Sequence, residues 1–280
     1  MVEAAPAAMT PLYEQPVLVV DPGMHTASIT SVAVDAAGRL AVTGSEDKTV
    51  RVWSLADGKL LRTIRMPAGP GNIGMVFAVA TSPDGDLVAA GGWTTDTPEE
   101  FIYLFEAHTG KTVHVISGVS AVTESLAFSR SGRYLAAGLF RSGLRIFDRA
   151  EQWAEVFRDT DYGDRIYGVA FAADGCLATT SYDGMIRLYD SGFQLIVPPK
   201  NGARGNEPFG IAFSPDGAKL AVGYSHVAAV DLFDGQSLAP LAGPNLDGLA
   251  PGGLAKVAWS ADGAVLFAGG LCYEGHPVLA

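Results

Sequence analysis

Cysteine, positive charge and long apolar runs are all scarce in this 280-residue sequence. Its two cysteines, Cys176 and Cys272, make no disulfide framework and point to a reducing compartment. No apolar run approaches the roughly 18 residues of a membrane span. The segment Met1–Thr10 has neither the basic stretch nor the apolar stretch of a secretory signal. These absences predict a cytoplasmic protein with no membrane partner. The 19 Lys and Arg against 30 Asp and Glu leave a net charge of −11. That is the wrong sign for a nucleic-acid partner, because phosphate binding needs a basic face. Charged residues make up only 18% of the chain and hydrophobic ones 48%, which excludes a disordered chain. No window sustains a 3.6-residue apolar period, so very little helix is expected.

Glycine, by contrast, is abundant and periodic. Gly38, Gly85, Gly132, Gly175, Gly217 and Gly263 each end a short turn rich in Asp and Ser, at intervals of 42 to 47 residues. Asp or Ser beside Gly is tight-turn chemistry, since Gly accepts positive φ without a Cβ clash. Six residues before each glycine stands Val32, Val79, Leu126, Val169, Ile211 or Val257. One residue later comes an unbroken alanine column: Ala33, Ala80, Ala127, Ala170, Ala212 and Ala258. Large–small alternation along a strand gives its two faces different clearances, and a second apolar run after each glycine makes a hairpin. A third strand ends in an aromatic at Trp53, Phe105, Phe147, Tyr189 and Phe233. A weaker fourth follows at Leu60–Ile64, Thr112–Ile116, Glu155–Phe157, Leu195–Val197 and Leu238–Leu241. Four short strands per 40–45 residues is the period of a β-propeller blade. The expected fold is therefore all-β: four-stranded antiparallel blades, five complete and a sixth partial. The units are 25–68, 69–118, 119–160, 161–201, 202–248 and 249–280, after a flexible 1–15. Pro16–Val20 reads as a lone strand able to complete the closing blade. The alternative is a fragment of a seven-bladed or tandem propeller, which the chain's end within a strand favours.

The run Thr43-Gly44-Ser45-Glu46-Asp47-Lys48-Thr49-Val50-Arg51-Val52-Trp53 resembles the second half of a WD-repeat. His25 stands where that family has its Gly-His histidine. The resemblance covers residues 25–280 and implies a buried tetrad in the first blade of His25, Ser45 (or Thr43), Asp47 and Trp53. The other units have Asn72, Val119, Tyr162, Arg204 and Ala250 in the histidine's place, so their inner turns must be held by other contacts. The alanine-rich blades and degenerate tetrads are most similar to bacterial members of the family, which are often attached to signalling or caspase-like peptidase domains.

Patterns suggestive of catalysis are weak. Gly69-Pro70-Gly71-Asn72-Ile73-Gly74 matches a dinucleotide fingerprint but runs into a strand, not the helix such a site needs, so it is a loop. Asp159-Thr160-Asp161-Tyr162-Gly163-Asp164 opens like a calcium loop but has Asp164 where Gly is required and lacks the closing Glu. Cys272 and His276 are two zinc ligands without a second pair, and Cys176 reads as a packing residue. The expectation is no catalytic, metal or cofactor residue. The rival, a lactonase-like propeller enzyme with a metal or cofactor in its channel, needs polar residues converging on the axis. The strand-one positions named above are apolar and do not supply them, although the loops could.

The predicted function is a non-catalytic protein–protein interaction scaffold, part of a larger signalling or peptidase-linked protein. The break in the repeat is a lengthened second blade, with an insertion at Gly92–Glu100. Trp93 is the expected anchor for a protein or peptide partner, and Asp96, Glu99 and Glu100 favour a basic one. Tyr182, Asp183, Tyr224 and His226, in equivalent turns, extend the footprint.

Overall fold

In a computed structural model, residues 21–202, 207–246 and 252–271, and the backbone of 277–279, are described. The expected lone strand Pro16–Val20, as well as Arg204, Ala250, Cys272 and His276, lie outside the described residues. Six antiparallel sheets follow one another along the chain, each in sequential strand order. The first contains β1 (Ile29–Val34), β2 (Leu40–Ser45), β3 (Thr49–Ser54) and β4 (Leu60–Arg65); the second β5 (Met75–Thr81), β6 (Leu87–Trp93), β7 (Glu100–Glu106) and β8 (Thr112–Val119). The third contains β9 (Thr123–Phe128), β10 (Tyr134–Leu139), β11 (Leu144–Asp148) and β12 (Ala154–Asp159); the fourth β13 (Ile166–Phe171), β14 (Leu177–Ser181), β15 (Met185–Tyr189) and β16 (Lys200–Asn201). The fifth is β17 (Pro208–Phe213), β18 (Lys219–Tyr224), β19 (Val230–Asp234) and β20 (Pro240–Leu241), and the sixth β21 (Lys256–Trp259), β22 (Leu266–Leu271) and β23 (Pro277–Leu279). The one helical turn among the described residues is 3-10, Arg149–Glu151. This is a β-propeller of five four-stranded blades and a partial sixth. The fourth strand of blade 4 falls at Lys200–Asn201, not at the expected Leu195–Val197, which follows the bulky turn through Phe193.

The periodic glycines do what their chemistry requires. All six have φ between +64 and +93 degrees. In Ser82–Asp86, the Ser82 hydroxyl donates to Asp84, which also accepts from the Asp86 N–H at 3.0 Å. The turns at Ser214 and Ser260 repeat this pattern. Neighbouring blades meet first strand to first strand, β1 on β5, β5 on β9, β9 on β13, β13 on β17 and β17 on β21. The core lies between blades: Val42, Val50 and Val52 of the first pack against Val76, Val79 and Val88 of the second. A second set of glycines makes this contact close. A Cβ on Gly44 would stand 2.6 Å from Val76, and one on Gly138 would stand 2.6 Å from Ile166, in each case a side chain of the next blade. Blade 4 has Thr180 there instead, and its hydroxyl donates across the junction to the Phe209 carbonyl at 2.5 Å. Blades 1 and 6 face each other across a cleft of about 520 Å³. Val32 is 66% exposed at that cleft, whereas its counterparts Val79, Leu126 and Val169 are only 3–8% exposed.

Candidate functional site

Three sets of polar residues stand out: the networks inside blades 1 and 4, the loop face around Trp93, and the wall of the central cavity. The first holds the fold. In blade 1, His25 Nδ1 lies 2.9 Å from Asp47 Oδ2 and His25 Nε2 lies 2.7 Å from Thr43 Oγ1. The Trp53 indole N–H donates to the same Thr43 oxygen at 2.8 Å, and Thr49 Oγ1 donates to Asp47 at 2.6 Å. Burial works against the Asp47 charge, but hydrogen bonds from Thr49, Thr26 and His25 hold its carboxyl below the usual range. Of the two hydroxyls the resemblance offered, Thr43 joins histidine to tryptophan. Ser45 does not: its hydroxyl donates to the Ala27 carbonyl at 3.3 Å and accepts from the Asp47 N–H at 3.1 Å. Ser45 pins the turn.

Blade 4 builds the same network from other side chains. Tyr162 takes the histidine's place, with its hydroxyl 2.8 Å from both Thr179 Oγ1 and the Tyr189 hydroxyl. Tyr189 donates onward to Asp159 Oδ2 at 2.8 Å. Burial pushes both phenols well above the usual tyrosine range, keeping them neutral donors. Arg187 lies over the Tyr162 ring at 3.9 Å and pairs with Asp183 at 2.9 Å. Asp161 contributes a backbone carbonyl to Arg187, and Asp164 pairs with Arg141. The calcium-like loop thus ties blade 4 together. One repeat position holds a buried arginine in blades 1, 3 and 4, Arg51, Arg145 and Arg187, whose partners are Asp21, Glu155 and Asp183. The sequence reading missed it, although all three stand two residues before the strand-three aromatic.

On the loop face, the insertion sits beside the inter-blade loops: Gly74 N–H donates to the Trp93 carbonyl at 2.7 Å and Gly118 N–H to Glu99 Oε1 at 2.8 Å. Trp93 is 39% exposed. Asp96 is exposed and makes no hydrogen bond or ion pair among the described residues. Glu100 is turned inward and buried, accepting from the Thr94 N–H and Oγ1 at 2.6 and 2.5 Å. It shapes the loop and is not offered to a partner. Tyr224 is also buried, its hydroxyl bonded to Asp231, and so is no surface contact. Asp183 serves the blade 4 network. Tyr182 bonds Ser225 at 2.9 Å and packs edge-on against Tyr167. His226 is exposed, with Nε2 3.0 Å from Glu207.

The central cavity, of about 380 Å³, is apolar at the strand-one positions and polar beside them. Val32, Val79, Leu126, Val169, Ile211 and Val257 do form a girdle, but Glu124, Ser125, Tyr167 and Lys256 line the same space nearer the inter-blade loops. The Tyr167 and Phe209 rings stack at 4.3 Å, Lys256 Nζ lies 4.5 Å from the Phe209 centroid, and Arg165 donates to the Tyr167 hydroxyl at 2.8 Å. Burial pushes the Glu124 carboxyl up, against the pull of Arg165. The Lys256 side chain is wet, yet the channel walls remove enough bulk solvent to bring its ammonium down to about 8. Among the described residues no three of His, Cys, Asp and Glu come together as a metal site. Burial and the adjacent Asp174 push the Cys176 thiol up to about 11, the opposite of an activated nucleophile. No helix of the described residues is long and apolar enough to cross a membrane.

The blades that carry the two networks are also the ones that match a known family. Residues 19–54 and 156–190 match the model of the WD domain, G-beta repeat. The fold, the networks and these matches together support a WD-repeat β-propeller. The chain is similar to periodic tryptophan protein 2 of Arabidopsis thaliana, 29% identical over 170 residues, covering 60% of this chain and 18% of that protein. It is 32% identical to the small ribosomal subunit protein RACK1y of Oryza sativa subsp. japonica over 162 residues, 54% of this chain and 44% of that one. To a guanine nucleotide-binding protein subunit beta of Oryza sativa subsp. indica it is 29% identical over 193 residues, 63% and 47% of the two chains. The chain spans less than half the length of each of these relatives.

Proposed function

We propose that the chain is a non-catalytic protein–protein interaction module whose loop face carries a protein or peptide partner, with Trp93 as the anchor. The observation that carries this reading is the insertion's construction. Its backbone is tied by the Glu100 carboxylate to Thr94, by Thr94 Oγ1 to the Phe101 N–H and by Glu99 to Gly118, while an exposed indole stands at its base. A loop held in one shape loses little entropy on binding, and an exposed Trp supplies contact area. Two of the relatives are, by their names, subunit components of assemblies, which fits a module that joins proteins. A cytoplasmic setting within a larger signalling or peptidase-linked protein is part of this reading. Asp96 remains to favour a basic partner, with Glu99 half committed to Gly118. A bacterial origin rests on the alanine-rich blades and degenerate tetrads, since the relatives above are eukaryotic. The test is a pull-down with the wild-type chain, Trp93→Ala and a deletion of residues 94–98, all checked for intact fold by circular dichroism. Partners lost with both variants, and more weakly held at high salt, support the reading. Partners captured equally by all three place the docking face elsewhere.

A further inference from the structure

The outer strand of each complete blade leaves one backbone edge unpaired, and four of the five are guarded. A free edge offers a row of N–H and carbonyl groups to another chain, and proteins blunt it with charge, proline or shortness. β4 carries the exposed Arg62 and Arg65, and β12 the exposed Glu155 and Arg158. β16 and β20 are two residues long, the first opening with Lys200 and the second with Pro240. β8 has none of these devices. At eight residues it is the longest strand among the described residues, and it contains no Lys, Arg, Asp, Glu or Pro. Val113 and Val115, two apart and so on one face, are 51% and 39% exposed, which leaves apolar surface beside the open edge. Residues 112–117 make no hydrogen bond beyond β7 among the described residues. The edge stops at Gly118, whose N–H donates to Glu99 and whose carbonyl accepts from Arg145. The exposed Lys111 stands at the entry of β8 and the exposed Glu99 at its exit.

We propose that β8 pairs antiparallel with β8 of a second copy of this chain, about a two-fold axis that sets Val113 of each copy opposite Val115 of the other. Antiparallel pairing brings opposite ends together, so Lys111 of each copy meets the Glu99 end of the other, twice over by symmetry. The edge itself selects this occupant. It fits an uncharged, valine-bearing extended strand, and β8 is such a strand, flanked by charges that complement their own image. Cross-strand valine pairs add to the backbone bonds. A two-fold contact uses the same patch on both copies and closes, so it covers the edge without starting a fibre. Six residues of edge span about 20 Å, and such a contact belongs with the weak interfaces below about 1,200 Å². The dimer is therefore reversible. It is distinct from docking at Trp93 and does not depend on it.

The test is sedimentation velocity of the full chain from low to high micromolar concentration. Physiological ionic strength screens the repulsion between two chains of net charge −11 beyond about 8 Å. Mass rising reversibly from monomer to dimer is expected. Val113→Lys and Val115→Lys should each raise the dissociation constant at least about tenfold, because charge on an edge opposes pairing. Leu61→Lys, at an exposed apolar position of the guarded β4, should leave it unchanged. Lys111→Glu and Glu99→Lys should each weaken the dimer about three- to tenfold. An equal mixture of those two variants should associate as wild type does, since each mixed pair again joins opposite charges. Melting curves matching wild type establish that the variants are folded. A chain that is monomeric at every concentration overturns the proposal and leaves the edge to a different protein. So does a dimer that survives both valine substitutions, or a mixture that associates no better than its parts.

Discussion

Replacing Thr43 by Val isolates the join in the blade 1 network. The Thr43 hydroxyl accepts the Trp53 indole N–H at 2.8 Å and lies 2.7 Å from His25 Nε2. Valine keeps the β-branched shape that a strand favours but carries no oxygen, so two polar groups lose their partner at once. Each buried group left unsatisfied costs about 1–3 kcal/mol. The His25 side chain is 3% exposed, so water cannot replace the bond cheaply; Trp53 is partly exposed and pays less. The sum is a loss of about 2–4 kcal/mol. Ser45→Ala is the matched control. It removes one long bond to Ala27 and one at the turn, and should cost about 0.5–1.5 kcal/mol. Urea unfolding followed by tryptophan fluorescence, with circular dichroism as a second probe, measures both. A Ser45→Ala loss equal to or larger than that of Thr43→Val would refute the assignment of Thr43 as the link.

Three further outcomes follow from the same geometry. Tyr162→Phe removes the hydroxyl shared by Thr179 and Tyr189 and should cost about 1–3 kcal/mol in urea melts; a change within experimental error would show that the blade 4 network does not hold the blade. Gly138→Ala sets a Cβ 2.6 Å from Ile166 of the next blade and 3.0 Å from its carbonyl, an overpacking that should cost about 1–3 kcal/mol; a neutral result would mean the blades slide freely. Lys256 holds its proton less tightly folded than unfolded, at about 8 against 10.5, so the unfolded chain binds more protons between those values and stability rises with pH there. The wild-type urea midpoint should therefore climb between pH 8 and 10 relative to that of Lys256→Met, and parallel midpoints would contradict the placement of its ammonium.

The propeller was legible because its signals are local. Asp–Gly turn chemistry and the alternation around the alanine column act over a few residues, and they recur. The blade 1 network was legible except for the hydroxyl: Thr43 and Ser45 are two apart and point to the same side of β2, so only the approach of Trp53 tells them apart. Glu100 and Tyr224 looked exposed because turns usually are, yet each has a short-range partner, Thr94 and Asp231, that draws it inward. The cavity wall was hidden for a different reason. In the first five blades strand one carries a bulge just upstream of the girdle positions, between Ile29 and Ser31, Val76 and Ala78, Thr123 and Ser125, Ile166 and Gly168, and Pro208 and Ile211. A bulge changes which side of the strand the preceding residues face, so simple alternation assigns them to the wrong surface. Glu124 and Tyr167 stand at such bulges, so the axis is apolar toward the turns, where alternation holds, and polar toward the loops, where it breaks; β21 pairs without a bulge, and Lys256 lines the cavity as that strand's first residue. The repeat itself fixes the girdle and leaves the wall above it free to differ from blade to blade. Glu124, Tyr167 and Lys256 occupy that variable tier, where a propeller can acquire a ligand without disturbing its packing.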